Sequence, residues 1–359
     1  MDNNRATTAI KWLLIEDLSD LKSYTTKWNK LVEESDASLF SSPRWIIQWI
    51  EVYWQPNWQL KTIIAIENNQ LIAIVPLYLQ KSAGFFSLST LMPLGQGEPE
   101  LSEVLSEYQD IIIHPQSIDL HIQLAEQISK IQFDQFYWSS LLSSANCLKV
   151  LTHIKKSKYQ ESGQRYLLAE NKNYLSTLSK NNKNKWNKCK NKLAKINAEF
   201  IWVPNNEFEH YWQTMISFHQ NRWKKKEKKG AFFHQDFLAF HQNFQKKNSC
   251  RISALLVDNK PIAINYYLQN EQTLYFYQCG WNESEYAHLS PGFSLHIWSI
   301  INNPLNKYDF MMGDVDDNYK KSFNCNKTEK MLTLTVNNNS IKRFFYTLIN
   351  KLSDLDHKS

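Results

Sequence analysis

The chain has 359 residues, 43% hydrophobic and 14% aromatic with 13 tryptophans, so it is long enough for two cored domains and too apolar to be disordered. Residues 1–169 hold 14 Lys+Arg against 18 Asp+Glu, net −4, whereas residues 170–359 hold 27 against 17, net +10. The second half is either a surface that attracts polyanions or a lysine-rich solvated one; no uncharged apolar run reaches the roughly 18–20 residues that a membrane-spanning helix needs, which leaves only peripheral membrane contact open.

The start, MDNNRATTAIKWLLIEDLSD, is polar and reads as no secretory leader. Five scattered cysteines form no C-x-x-C pair, which points to reduced thiols in a cytoplasmic protein and against zinc or any other metal. TAIKWLLIE opens as a strand, and helical spacing runs from Leu18 to Glu34. SSPRWIIQWIEVYW begins a helix with Ser41 or Ser42 as N-cap and Pro43 in the first turn. LKTIIAIENNQLIAIVPLYLQKS is two strands joined at Asn68-Asn69. Strands follow at FFSLSTLMPLG and YQDIIIHP, a helix over 117–131, a strand at FDQFYWSSL, a helix over 143–155 and a strand at QRYLLAE.

The second half repeats this order. Basic helical segments cover 174–198 around the short strand EFIWV, and helices cover 207–225 and 235–246. Three antiparallel strands turn at Asp258-Asn259 and Asn270-Glu271. SPGFSLHIWSIINN is a helix from Ser290, KYDFMMG and MLTLTVN are strands, and IKRFFYTLINKL closes as a helix. The repeat is one of element order, not of letters, and predicts mixed α/β sheets in two domains, 1–169 and 170–359.

This order, with the pieces WNKLVEES…LFSSPRW, IAIVPLYL, YQDIII, LSKNNKNKWNKCKNKLAK, FHQNRW, KPIAINYYL, LYFYQCGWNE…SPGFSL and YDFMMGDVDDNYKKSF, resembles the tandem-GNAT acyltransferase family that includes CelD-like, cellulose-biosynthesis-type acetyltransferases. Fem aminoacyl ligases are more distant relatives. The resemblance spans Trp28 to Phe323. It implies two tandem GNAT-like domains and N-acyl transfer from an acyl-CoA, acetyl-CoA above all, to an amine on an amino sugar or another envelope or polysaccharide precursor. The alternatives are a Fem-like ligase, for which tRNA is the only nucleic-acid partner expected, and a non-catalytic binding scaffold.

Amine attack on a thioester needs a seat for the phosphate-bearing carrier, an oxyanion stabiliser and proton-transfer groups. Ser290, Pro291, Gly292 and Phe293 start a helix whose amides suit a pyrophosphate, although the usual basic-x-x-Gly-x-Gly/Ala signature of the family is absent. By the resemblance, Tyr319 matches the tyrosine that protonates the leaving thiolate, at a shorter spacing to the next Phe than usual. Asp314 can orient or deprotonate an amine, or cap a helix, and Lys320 can hold a phosphate or pair with an acidic neighbour; Asp316 and Asp317 are helix-end charges. The set is no EF-hand, because Tyr319 stands at the required glycine. His219 and Arg222 share a helix face with Trp223 beside them; His219 is a base and Arg222 an anion grip, or the two are a structural pair. His241 is packing. The seven lysines from Lys180 to Lys195 bind anions or are a solvated face, and RWKKKEKKG is a solvated loop. The N-terminal domain lacks a Ser-Pro-Gly helix start, so it is expected to hold no carrier and to shape the acceptor cleft, with Tyr108 and Asp110 facing it.

Overall fold

This computed structural model describes residues 9–82, 87–154, 157–170, 173–225, 227, 230–247, 250–283, 285–315, 319–339 and 341–342, without the side chain of Ile118. Asp316, Asp317, Phe85, Phe86, three lysines of the RWKKKEKKG run and nearly all of the expected last helix lie outside the described residues. The chain folds into two compact units, unit 1 (1–98, 105–162, 331–359) and unit 2 (99–104, 163–330).

Unit 1 begins with β1 (Lys11–Ile15), α1 (Leu18–Ser23) and α2 (Thr25–Glu34). The helix expected over 18–34 is two, because Tyr24 ends α1, its N–H reaching Leu21 O and Lys22 O. In α3 (Pro43–Tyr53) Ser42 is the N-cap and Pro43 the first residue, and Trp45 and Trp49 are buried one turn apart. Then come β2 (Gln59–Leu60), β3 (Thr62–Glu67), β4 (Gln70–Val75), β5 (Leu77–Lys81), β6 (Ser89–Pro93), β7 (Ile112–Ile113), α4 (His121–Ser129), β8 (Gln135–Leu142) and α5 (Asn146–Leu151). One sheet runs β1-β3-β4-β7, all antiparallel. Trp138, Phe136 and Leu124 are among the core residues of the unit.

The long strand β9 (Ser157–Leu168) leads into unit 2. There follow α6 (Tyr174–Thr177), α7 (Lys180–Lys195), β10 (Glu199–Trp202), α8 (Phe208–Lys225), α9 (Gln235–Lys247), β11 (Cys250–Val257), β12 (Lys260–Gln269), β13 (Thr273–Trp281), α10 (Pro291–Ile301), β14 (Lys307–Gly313) and β15 (Lys327–Asn337). The sheet of unit 2 is ordered β10-β11-β12-β13-β14-β9, antiparallel throughout except for the parallel pair β13–β14. Residues 331–337 return to unit 1 because they pair with β8, so the boundary between the units falls elsewhere than at 169/170.

The repeat of order is also one of geometry. β3–β4 and β11–β12 each close in two residues, Asn68-Asn69 (φ 48° and 63°) and Asp258-Asn259 (φ 48° and 60°). Asn and Asp tolerate the left-handed backbone that such a turn requires. Each hairpin then shifts register at the same distance from its turn, between Ala65 and Ile66 and between Leu255 and Leu256. The extra residue is Ile72 in one strand and Ile262 in the other, each three positions past its turn. Matching turns and bulges in two dissimilar sequences are structural evidence of tandem copies.

Candidate active site

The site lies in unit 2, where the parallel strands part. β13 and β14 are in register only over Thr273–Tyr275 and Lys307–Asp309. Beyond that point β14 bends. Met311 has φ 63°, and the register against β9 shifts between Asp309 and Met312. Even an unbranched side chain in the left-handed region costs about 1–2 kcal/mol, so surrounding bonds must hold it. Asp309, fully buried, supplies them: its Oδ1 accepts the Met311 N–H at 2.8 Å and its Oδ2 accepts Arg165 Nε at 2.7 Å, with Arg165 Nη2 at 2.6 Å. On the other side of the bend, Lys320 Nζ donates to Phe310 O at 2.6 Å and to Met312 O.

On β13, α8 crosses so close at Gly280 that a Cβ there would lie 2.5 Å from Met215 O and 2.8 Å from Phe218 Cβ. Glycine is required at that position by close approach rather than by backbone angle.

A pocket of about 370 Å³ lies among the end of β13, the start of α10 and the turn after β14. Cys279, Gly280 and Trp281 of β13 and Ala263 and Asn265 of β12 line one side, and Ser290–Phe293 and His296 of α10 another; Tyr319, Ser322 and Phe323 come from the turn after β14, Lys185 from α7 and Arg222 from α8. Ser290, the expected start of α10, occupies the N-cap in a left-handed conformation (φ 48°, ψ 56°) and its side chain makes no capping bond. Pro291 has no N–H, so the amides of Gly292 and Phe293 are the helix-end donors without an intrahelical partner. A Cβ on Gly292 would meet nothing nearer than Trp281 Cδ1 at 4.0 Å, so open space adjoins this helix end. Lys185 Nζ stands 4.3 Å from the centre of the Phe293 ring. Two amides, a helix dipole and an ammonium make this rim electropositive.

Behind the pocket runs a buried polar chain. His296 Nδ1 and the Tyr308 hydroxyl are 2.8 Å apart, Tyr308 donates to the Tyr267 hydroxyl at 3.3 Å, and Asn265 Nδ2 donates to the same oxygen at 3.0 Å. Ser253 Oγ lies 3.2 Å from Tyr267, and Ser299 donates to Ser253 at 2.9 Å. With the Tyr308 proton directed to Tyr267, the Tyr308 oxygen accepts from His296, which assigns His296 the Nδ1–H tautomer. Burial, and then Lys320, lower its pKa to about 3, so the ring is neutral. The Tyr319 and His296 ring centres are 6.1 Å apart. Tyr319 keeps 53% of its surface exposed, yet enough protein surrounds its hydroxyl to push its pKa up, an effect that Cys279 strengthens and Arg222 opposes. Burial also raises the Cys279 thiol, which is therefore no thiolate nucleophile at neutral pH.

Of the residues singled out from sequence, the pocket gathers Ser290, Pro291, Gly292, Phe293, Tyr319 and Arg222. Lys320 stands behind it with its ammonium on β14 carbonyls instead of facing the cavity. Asp314 is exposed, takes a hydrogen bond from Tyr166 on its backbone carbonyl at 3.2 Å and does not line the pocket. His219 is also off the lining. Its Nε2 accepts the Trp223 indole N–H at 2.9 Å, Phe232 stacks edge-on at 4.8 Å, and burial lowers its pKa to about 4. His241 is buried among aromatic rings. Tyr108 and Asp110 sit inside unit 1: Tyr108 is buried with φ 60° and Ser38 on its carbonyl. Asp110 accepts the N–H groups of Ile111, Asn146 and Cys147, each at 2.7 Å, and so holds the start of α5, while burial pushes its pKa up to about 7 against those bonds. Asn265 and His296 escaped sequence reasoning, whereas Lys185 belongs to the lysine series expected either to bind anions or to be a solvated face. The available signal for His296 was its spacing, one turn beyond Gly292 on the same helix face.

Comparison with known proteins relates this geometry to a described domain. Residues 181–321 match the family model described as Acetyltransferase (GNAT) domain. The match spans every residue of the pocket lining except Ser322 and Phe323. No curated protein sequence matches the chain. Among solved structures, FemX is 8% identical over 94% of this chain and 99% of its own, with a TM-score of 0.60. L-PGS from Bacillus licheniformis is 11% identical over 94% and 97%, with a TM-score of 0.53. A conserved protein of unknown function from Bacteroides thetaiotaomicron VPI-5482 is 10% identical over 91% and 100%, also at 0.53. At such identities the likeness is one of fold. The expected mixed α/β, tandem GNAT-like architecture is the one observed. Among the described residues no helix is long and apolar enough to cross a membrane, and no group of His, Cys, Asp and Glu is placed to hold a metal.

Proposed function

We propose that this protein is an N-acyltransferase in which unit 2 takes an acyl group, acetyl above all, from acyl-CoA and passes it to an amine. One observation carries the proposal: a pocket beside the end of β13 opens at the uncapped start of α10, where two amides and Lys185 offer a seat for the carrier's pyrophosphate. In the reaction the amine nitrogen attacks the thioester carbonyl carbon, a C–N bond forms, and the C–S bond breaks. Tyr319, held neutral, donates its hydroxyl proton to the departing thiolate, and the proton lost by the amine returns to the phenolate through water. No carboxylate lines the pocket among the described residues, and this favours an amine that binds unprotonated. The resemblance to CelD-like proteins favours an amino sugar or an envelope or polysaccharide precursor as acceptor. Five scattered cysteines with no C-x-x-C pair fit the reducing cytoplasm, the compartment proposed. Unit 1 is proposed to hold no carrier.

Titration calorimetry with CoA and acetyl-CoA tests the seat, and free-thiol release across an amine panel tests the transfer. Tyr319→Phe is expected to lower turnover by about 10²-fold or more while leaving acetyl-CoA affinity unchanged. Absence of binding by any CoA thioester would overturn the proposal. A second reading, transfer from an aminoacyl-tRNA, is favoured by α7, whose seven lysines are all exposed. Steeply salt-dependent tRNA binding together with no CoA binding would select it.

A further inference from the structure

A second cavity of about 600 Å³ adjoins the pocket at Arg222 and Trp281, which line both. Its cations are Arg222, Lys224 and Lys225 at the end of α8, and its only carboxylate among the described residues is Glu283. Glu283 Oε1 lies 3.3 Å from Arg222 Nε, and the pair is partly exposed, 40% on the arginine side and 27% on the glutamate. The lysines are exposed. Phe218 and Trp281 supply apolar walls.

Resting on the acyl-transfer reading, we propose that this trough binds the acceptor, and that the acceptor is an amine carrying its own carboxylate or phosphate. The start of α10 and Lys185 already provide an anion seat on the far side of Trp281. The trough is therefore a second, separate cationic locus, and its net charge of two positives calls for an anion. A guanidinium has five donors in a fixed fork, of which Glu283 engages the Nε edge; the terminal edge suits a carboxylate or phosphate. Glu283 steers Arg222 and gives the amine of the same acceptor an oxygen to approach. An amine without an anionic group would leave the two excess positive charges of the trough uncompensated, and would bind more weakly.

Matched ligand pairs test this. Wild-type protein saturated with CoA is titrated with glucosamine 6-phosphate against glucosamine, and with alanine against alaninamide. At least one anionic member is expected to bind ten-fold or more tightly than its neutral partner, and which pair responds distinguishes phosphate from carboxylate. In the double variant Lys224→Gln/Lys225→Gln that preference is expected to fall about ten-fold, with the neutral members unaffected. Equal binding within each pair, no binding by either anionic member, or a preference that survives the double variant would overturn the proposal. CoA against 3′-dephospho-CoA is the control for the other source of an anion: if the double variant weakens CoA selectively, the trough serves the carrier and the acceptor assignment falls. Failure of CoA to bind wild type would refute the transferase reading by itself, and the same ligand pairs, titrated into CoA-free protein, would still decide whether the trough selects anions.

Discussion

Replacing Asp309 by Asn should unsettle unit 2 more than any surface change, although the two side chains have nearly the same shape. Asp309 is fully buried and Arg165 is 15% exposed, and the carboxylate accepts two guanidinium N–H groups at 2.7 and 2.6 Å. Asn keeps an oxygen for the Met311 N–H but turns an amide N–H₂ towards the guanidinium, which replaces a charged acceptor with a donor beside a nearly buried cation. Breaking a buried pair from one side costs about 3–5 kcal/mol, a large part of a typical stability of roughly 5–15 kcal/mol. Met311 at φ 63° is held by the same residue, so the bend that carries β14 away from β13 loosens with it. Urea unfolding followed by tryptophan fluorescence should show this loss, and acetyl-CoA affinity should fall in parallel. Adding Arg165→Met removes that cation, so the double variant is expected to recover about 1 kcal/mol or more relative to Asp309→Asn alone. A single-variant loss below about 1 kcal/mol, or strictly additive single variants, would refute the assignment of the bend to this pair.

The two pocket glycines should part company. Gly280→Ala drives a methyl to within 2.5 Å of a backbone oxygen and is expected to cost about 1–3 kcal/mol by thermal unfolding. Gly292→Ala enters open space and should leave stability unchanged or slightly raised while weakening CoA binding; equal melting shifts for the two would count against the geometry. Burial lowers the pKa of His241 and His296 to about 3 and of His219 to about 4, all below the ordinary 6.5. Unfolded chains therefore take up protons below pH 6.5 that the folded unit refuses, and stability drops on acidification towards pH 4, by about 2 kcal/mol per histidine at pH 5. Exchanging His241 for Gln should reduce the slope of stability against pH between 5 and 6.5 by close to one proton; an unchanged slope would show that its pKa is not lowered.

Local rules made the frame of the fold legible. Asn68-Asn69 and Asp258-Asn259 announce two-residue turns because few other residues accept positive φ twice in succession, and Pro43 after Ser42 announces a helix start. The start of α10 was legible for the same reason, but the role of Ser290 was not. Whether a serine caps depends on its own backbone angles, and in the left-handed conformation here its side chain makes no capping bond. The break between α1 and α2 was hidden because Tyr24 interrupts no apolar period. Lys320 and Asp309 were misleading or silent for a different reason. Each acts on backbone groups of a bulge, and bulges follow from strand register, which periodicity does not report.

The site divides along the same line. Tyr319 and the start of α10 share an arrangement that the family resemblance supplies, so both were singled out, and they line one pocket; His296, Asn265 and Tyr308 belong to three elements and meet only because β12, β14 and α10 pack together. Such chains are costly when left half-satisfied, since each unpaired buried group forfeits about 1–3 kcal/mol. An ordinary core would place apolar residues there. A polar chain kept intact directly behind the pocket, with Asn265 and His296 as its pocket-facing ends, is better accounted for by what enters the pocket than by stability. It fixes the ring of His296 in one tautomer and one orientation before any ligand arrives, and a preset wall lowers the entropy lost on binding. If that is its use, Tyr308→Phe should weaken acyl-CoA binding or turnover beyond what its loss of stability explains, whereas a purely structural chain would lower stability and leave the folded fraction fully competent.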